Sequence, residues 1–130
     1  MKQREIKFRA MRDDMNPSWV YGSLLYGGDI PRIQELPLFS LFTTCLKGTE
    51  GQFTGLKEDE DGRDREVYEG DIILHGSGEL RGPGIVKWCE YSLGFKVFRG
   101  TNPYHIYRPE IIGNIYENPE LLPTNTTTEP

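Results

Sequence analysis

At 130 residues, with 36% hydrophobic residues, 15 Gly and 9 Pro, the chain suits one domain, or one domain plus a small subdomain, with a modest core that needs no metal or disulfide staple. Its glycines and prolines favour short strands and turns over long helices. The formal net charge of −5 counts against a general nucleic-acid binder, and no run approaches the ~18 apolar residues of a membrane helix, so a cytoplasmic protein without a membrane partner is expected.

Ile6, Phe8 and Ala10 alternate with Lys7, Arg9 and Met11, the period of a strand with one buried face. Asp13-Asp14 and Asn16-Pro17-Ser18 supply turn chemistry, and the aromatic and aliphatic run from Trp19 to Tyr26 predicts the second strand of a hairpin. Gly27-Gly28-Asp29 ends that strand. Pro31 and Pro37 discourage a long helix over residues 32 to 40 but allow a short helical turn near Ile33 to Leu36, and Leu41 to Leu46 resumes as an apolar segment. Residues 1–50 therefore read as an N-terminal β-hairpin subdomain.

Residues 51–122 read as a barrel-like core. Gln52 to Leu56 suits a strand or turn, and the charged stretch 58 to 66 reads as an exposed loop whose composition cannot bury itself. Val67-Tyr68 leads into a tight turn at Glu69-Gly70, with Gly70 free to take positive φ, and Asp71 opens the apolar run Ile72-Ile73-Leu74. Gly84 to Tyr91, Phe95 to Arg99 and Tyr104 to Tyr107 are further strand candidates, separated by Gly94 and Asn102-Pro103. Such spacing argues for a small, bent antiparallel sheet that closes on itself, SH3-like or a pseudo-barrel, with Ile111 to Tyr116 as the closing strand. Asn118-Pro119 looks like the cap and first position of a single helical turn that carries Leu121 and Leu122 onto the core. Residues 123–130 have nothing to bury and read as a disordered tail.

Four motifs point to kinship: Ile6-Lys7-Phe8-Arg9-Ala10, Phe53-Thr54-Gly55-Leu56-Lys57, Val67-Tyr68-Glu69-Gly70-Asp71-Ile72-Ile73, and Ile112-Gly113-Asn114-Ile115-Tyr116-Glu117-Asn118-Pro119-Glu120-Leu121-Leu122. With them the chain resembles the YopX-like proteins, small β-rich proteins of phages and prophages. The resemblance runs from about Ile6 to Leu122. It departs from the family pattern at Met11, where a Trp is usual, and in a longer, more acidic loop between Lys57 and Tyr68. It implies a barrel-like β architecture, a tendency to self-associate, phage or prophage origin and no defined activity.

No motif has the layout of a catalytic, cofactor or metal site. Aligning Gly62 with the glycine of a calcium loop puts Lys57 first and Tyr68 last, so both obligatory acidic ligands are missing. Cys45, Cys89, His75 and His105 complete a zinc set by number only, without the local ligand pairs such sites use. The cysteines read as free, partly buried thiols, and Gly76-Ser77-Gly78 as a flexible turn. Asp71 reads as a turn residue that satisfies backbone N–H groups. Tyr68, Gly70, Asp71, Gly113, Asn114 and Pro119 are expected to define the fold.

Charge is segregated along the chain. Residues 58 to 71 hold eight acids and two bases, a net of −6, and residues 81 to 108 hold five bases and one acid, a net of +4. Lys87, Trp88, Lys96, Arg99 and Arg108 are therefore the expected interaction surface of a non-enzymatic protein. The first reading has the acidic loop of one copy meeting the basic strands of another in a homo-oligomer. The alternative is a platform for single-stranded nucleic acid, with bases of the ligand stacking on the interleaved aromatics. No small-molecule substrate is identified.

Overall fold

A computed structural model describes residues 5–14, 18–35, 42–58 and 64–123. The predicted tail, residues 59–63 of the acidic loop and the Asn16-Pro17 turn lie outside the described residues, apart from Pro123 at the start of the tail. The protein is mainly β with little helix, as its turn-rich sequence implies. Among the described residues eleven strands occur in chain order: β1 (Phe8–Met11), β2 (Trp19–Gly27), β3 (Ile30–Glu35), β4 (Thr43–Thr44), β5 (Gly51–Lys57), β6 (Glu66–Tyr68), β7 (Asp71–His75), β8 (Gly82–Cys89), β9 (Gly94–Arg99), β10 (Asn102–Tyr104) and β11 (Glu110–Asn114). Single 3₁₀ turns span Gly78–Leu80 and Pro119–Leu121. The chain divides into two compact units, Met1–Gly55 and Leu56–Pro130.

In the first unit the strands are ordered β4-β3-β2-β1-β5. The predicted hairpin is β1 and β2, in antiparallel register from Phe8 opposite Gly22 to Met11 opposite Trp19. β1 is not one-sided: Arg9, Ala10 and Met11 are all buried, and the Arg9 guanidinium lies 4.1 Å from the centre of the Trp19 ring, a contact that favours a cation over an aromatic face. Ile33 lies in β3 rather than in a helical turn, and Leu36 lies outside the described residues. Pro31 is tolerated because only its carbonyl is needed: it accepts the Cys45 amide at 3.0 Å. Ala10, Val20, Ile33 and Cys45 form this unit's core, flanked by Phe8 and Leu24.

In the second unit an antiparallel sheet runs β10-β9-β8-β7-β11. Val67, Ile73, Val86, Val97 and Ile106 form its core, with Phe95 and Ile111 packed against it. β11 pairs with β7 at one end of the sheet and β10 with β9 at the other. Among the described residues the sheet therefore stays open, and the expected closing strand is an edge strand. β10 also begins at Asn102-Pro103, where a break was expected; Pro103 lacks an N–H, which suits an edge position.

β5 reaches past the boundary between the units, and β6 follows beside its far end, where the Glu58 amide donates to the Arg65 carbonyl at 2.8 Å. Here the expectation of an exposed charged loop fails at its first residue, because Glu58 is fully buried. Arg65 explains how: its Nε and Nη2 donate to Glu58 Oε1 and Oε2 at 2.8 and 2.9 Å, a fork that matches both carboxylate oxygens. The same pair grips the edge of the sheet. Ile111 N–H donates to Glu58 Oε2 at 2.8 Å, and Arg65 Nη2 donates to the Ile111 carbonyl at 3.1 Å. An ion pair thus occupies both backbone groups of Ile111, next to the β-bulge between Ile111 and Gly113, and blunts that stretch of edge against further strands.

Candidate functional site

The six residues expected to define the fold, Tyr68, Gly70, Asp71, Gly113, Asn114 and Pro119, all lie in the second unit, and Gly70, Asp71 and Asn114 hold backbone. Gly70 adopts φ +92°, its amide donates to Val86 O and its carbonyl accepts from Ile115 N–H, both at 2.9 Å. A side chain there would be strained in this left-handed conformation and would press on the Tyr116 ring. Asp71 accepts the Tyr68 amide at 2.8 Å, the turn role its position predicts. Asn114 is a hub: its Oδ1 accepts the Tyr116 and Glu117 amides at 3.0 and 2.9 Å, and its Nδ2 donates to Glu117 at 2.8 Å.

The C-terminal motif departs from expectation in two ways. Asn118 stands at the cap position before Pro119 but makes no capping bond; its Oδ1 instead accepts the Asn114 amide at 3.2 Å. Leu121 is exposed and Leu122 half-buried, so neither joins the core. A side chain at Gly113 would collide with Asn118 and Leu121. All six residues expected to define the fold therefore sit at or beside this junction of turns.

The predicted interaction residues fall into three places. Lys87 stands directly opposite Lys96 across β8 and β9, on the face that carries Ile85 and Phe98, and the Lys87 ammonium lies 4.9 Å from the Phe98 ring centre. Neither lysine has a carboxylate partner among the described residues. Trp88 and Arg99 point to the opposite face. Trp88 is exposed and meets Phe95 edge-on at 5.2 Å, whereas Arg99 donates to the Leu80 carbonyl at 2.6 Å and so holds the first 3₁₀ turn. Arg108 lies beyond β10 at φ +48°.

Between β8 and β9 the loop Glu90–Leu93 presents Tyr91, fully exposed, and Leu93, 74% exposed. Leu93 takes φ +55°, a left-handed conformation costly for a branched apolar side chain. Hydrogen bonds from Ser92 draw the buried Cys89 thiol below its ordinary pKa and tie the loop to the end of β8.

A cleft of about 610 Å³ opens where the ends of β7, β8 and β11 meet. His75, Arg81, His105, Tyr107, Arg108 and Glu110 line it, so both histidines of the chain face one space, a convergence their 30-residue separation conceals. Arg81 pairs with Glu110. The His75 ring stacks on Tyr104 at 4.7 Å, and its buried Nδ1 has no hydrogen-bond partner among the described residues. Burial, and then the nearby Arg99 charge, hold the His75 imidazole below its ordinary pKa. The unfolded chain takes up a proton near pH ~6.5 that the folded chain resists, so this residue's contribution is complete above that pH and is lost as pH falls below it. Urea midpoints for the parent chain should thus drop between pH 7.5 and pH 5 by more than those of His75→Gln; equal drops would remove His75 from the account.

These features define a class: a mainly β protein whose described residues form two open antiparallel sheets, with its motif residues in the second unit building turns. The family model described as YopX protein matches residues 7–123, and the chain belongs to that family. No curated protein matches the sequence.

Proposed function

We propose that this is a non-enzymatic, phage- or prophage-encoded protein of the bacterial cytoplasm that works by binding, and that it assembles with copies of itself through the β8–β9 hairpin. The observation that carries the reading is the pair Lys87 and Lys96, set in direct register with no carboxylate partner among the described residues. Like charges directly opposite destabilise a sheet unless an anionic group meets them. Within residues 58 to 71, with a net charge of −6, the acids other than the buried Glu58 and Asp71 supply such a group on every other copy. Beyond the lysines, Trp88, Tyr91 and Leu93 offer exposed apolar surface at a tip whose backbone strain costs stability without serving the core, a pattern that clusters at binding surfaces. Charge then sets register and rate of encounter while the tip supplies affinity.

Light scattering on a size-exclusion column tests this directly. The parent chain should run as an oligomer that dissociates with added salt, and Lys87→Glu with Lys96→Glu should run as a monomer of 14.9 kDa. Leu93→Gly should weaken association while leaving the melting temperature unchanged or higher, since it relieves a strained φ. A parent chain that is monomeric at every salt concentration would sink the proposal, and a shift only with single-stranded DNA would reassign the same face to nucleic acid.

A further inference from the structure

The cleft at the ends of β7, β8 and β11 is separate from the hairpin surface and has a chemistry of its own. Its volume, about 610 Å³, falls within the range of sites for small organic ligands and exceeds what a simple anion needs. Two guanidinium groups, Arg81 and Arg108, line it with one carboxylate, Glu110. Guanidinium forks match phosphate oxygens. The Arg81 and Glu110 side chains are 43% and 37% exposed, so their ion pair contributes little and opens readily to a stronger anion. Once released, Glu110 becomes an acceptor for a hydroxyl or amino group.

Two further observations point to a ligand that also carries a ring. Tyr107 is 74% exposed although it lines the cleft, and His105 is exposed and lines it too, so two flat side chains border the space, the kind of group on which a planar ring stacks. The orphaned Nδ1 of His75 is a buried polar atom of the kind that a bound group commonly satisfies. Arg108 holds a left-handed backbone conformation unusual outside glycine, and such strain concentrates at ligand clamps.

We infer that this cleft binds a nucleoside 5′-monophosphate, with the phosphate between Arg81 and Arg108, the base against Tyr107 and His105, and Glu110 accepting from the sugar or base. The four common ribonucleoside 5′-monophosphates, titrated calorimetrically into the full chain, test it. At least one should bind about tenfold or more tightly than inorganic phosphate and than its own unphosphorylated nucleoside. Arg81→Gln and Arg108→Gly should each weaken that binding roughly tenfold or more; the glycine variant keeps the strained turn at ease, so folding is preserved. The His75 ring nitrogens should shift in ¹⁵N NMR on addition of the nucleotide. Equal affinity for phosphate and nucleotide, unchanged affinity in both arginine variants, or no heat at millimolar nucleotide would each overturn the assignment. Lys87→Glu with Lys96→Glu should bind the nucleotide as the parent does, which separates this site from the assembly surface.

Discussion

Arg65→Ala is expected to lower the unfolding free energy by about 3 kcal/mol, with a fall in Tm of about 10 °C. The carboxylate it leaves behind is fully buried, and truncating one partner of a buried pair costs about 3–5 kcal/mol because the other charge keeps its desolvation penalty. The lower end applies, since the Arg65 side chain is 52% exposed and partly screened by water. The loss also frees the Ile111 carbonyl, so the effect should appear in amide exchange along β11. Arg65→Lys keeps the charge but cannot reach both carboxylate oxygens and the Ile111 carbonyl together, and should fall between the two. Urea denaturation of the three chains gives the answer; a loss under about 1 kcal/mol for the alanine variant would reduce the pair to an ordinary surface contact.

The second large effect is expected at Gly22→Ala. Gly22 pairs with Phe8 on one side and Glu35 on the other, with φ +155°, and an added Cβ would lie 2.1 Å from the Gln34 carbonyl oxygen. That oxygen is backbone and cannot swing aside as a side chain would. Either β2 and β3 separate or the strand re-registers, and overpacking of this kind costs about 3 kcal/mol. Amide exchange should speed up across β2 and β3, whereas the exposed neighbour Ser23→Ala should stay within about 0.5 kcal/mol of the parent. A parent-like unfolding midpoint for Gly22→Ala would mean that the two strands part more easily than their geometry implies.

Much of the second unit was legible in the sequence because its signals are local. Gly70 followed by Asp71, the β-branched runs and the Asn-Pro turn starter each act within a few residues, so β6 to β9 and the Gly70 turn stand where the pattern puts them. β3 and β10 were hidden for one reason: proline reads as a break, yet Pro31 serves the ladder through its carbonyl and Pro103 occupies an edge. Glu58 was unreadable in a different sense. In a run of acids it looks solvated, and its burial depends on Ile111, 53 positions away, as well as on Arg65. The facing of Lys87 and Lys96 against Trp88 and Arg99 needed the register of β8 on β9, which alternation alone does not supply. The cleft needed the topology that brings His75 and His105 together.

The position of β11 also sets a clock on synthesis. β7 ends at His75 and its partner ends at Asn114, 39 residues later, so a ribosome moving at about 5–20 residues per second leaves one flank of Ile72, Ile73 and Leu74 unpaired for about 2–8 s. The Gly70 carbonyl waits as long for the Ile115 amide, and Glu58 with Arg65 waits for Ile111. Over that interval the nascent chain carries an apolar strand with an open flank, which makes ribosome pausing between codons 75 and 114 the moment of greatest exposure to aggregation and to proteolysis.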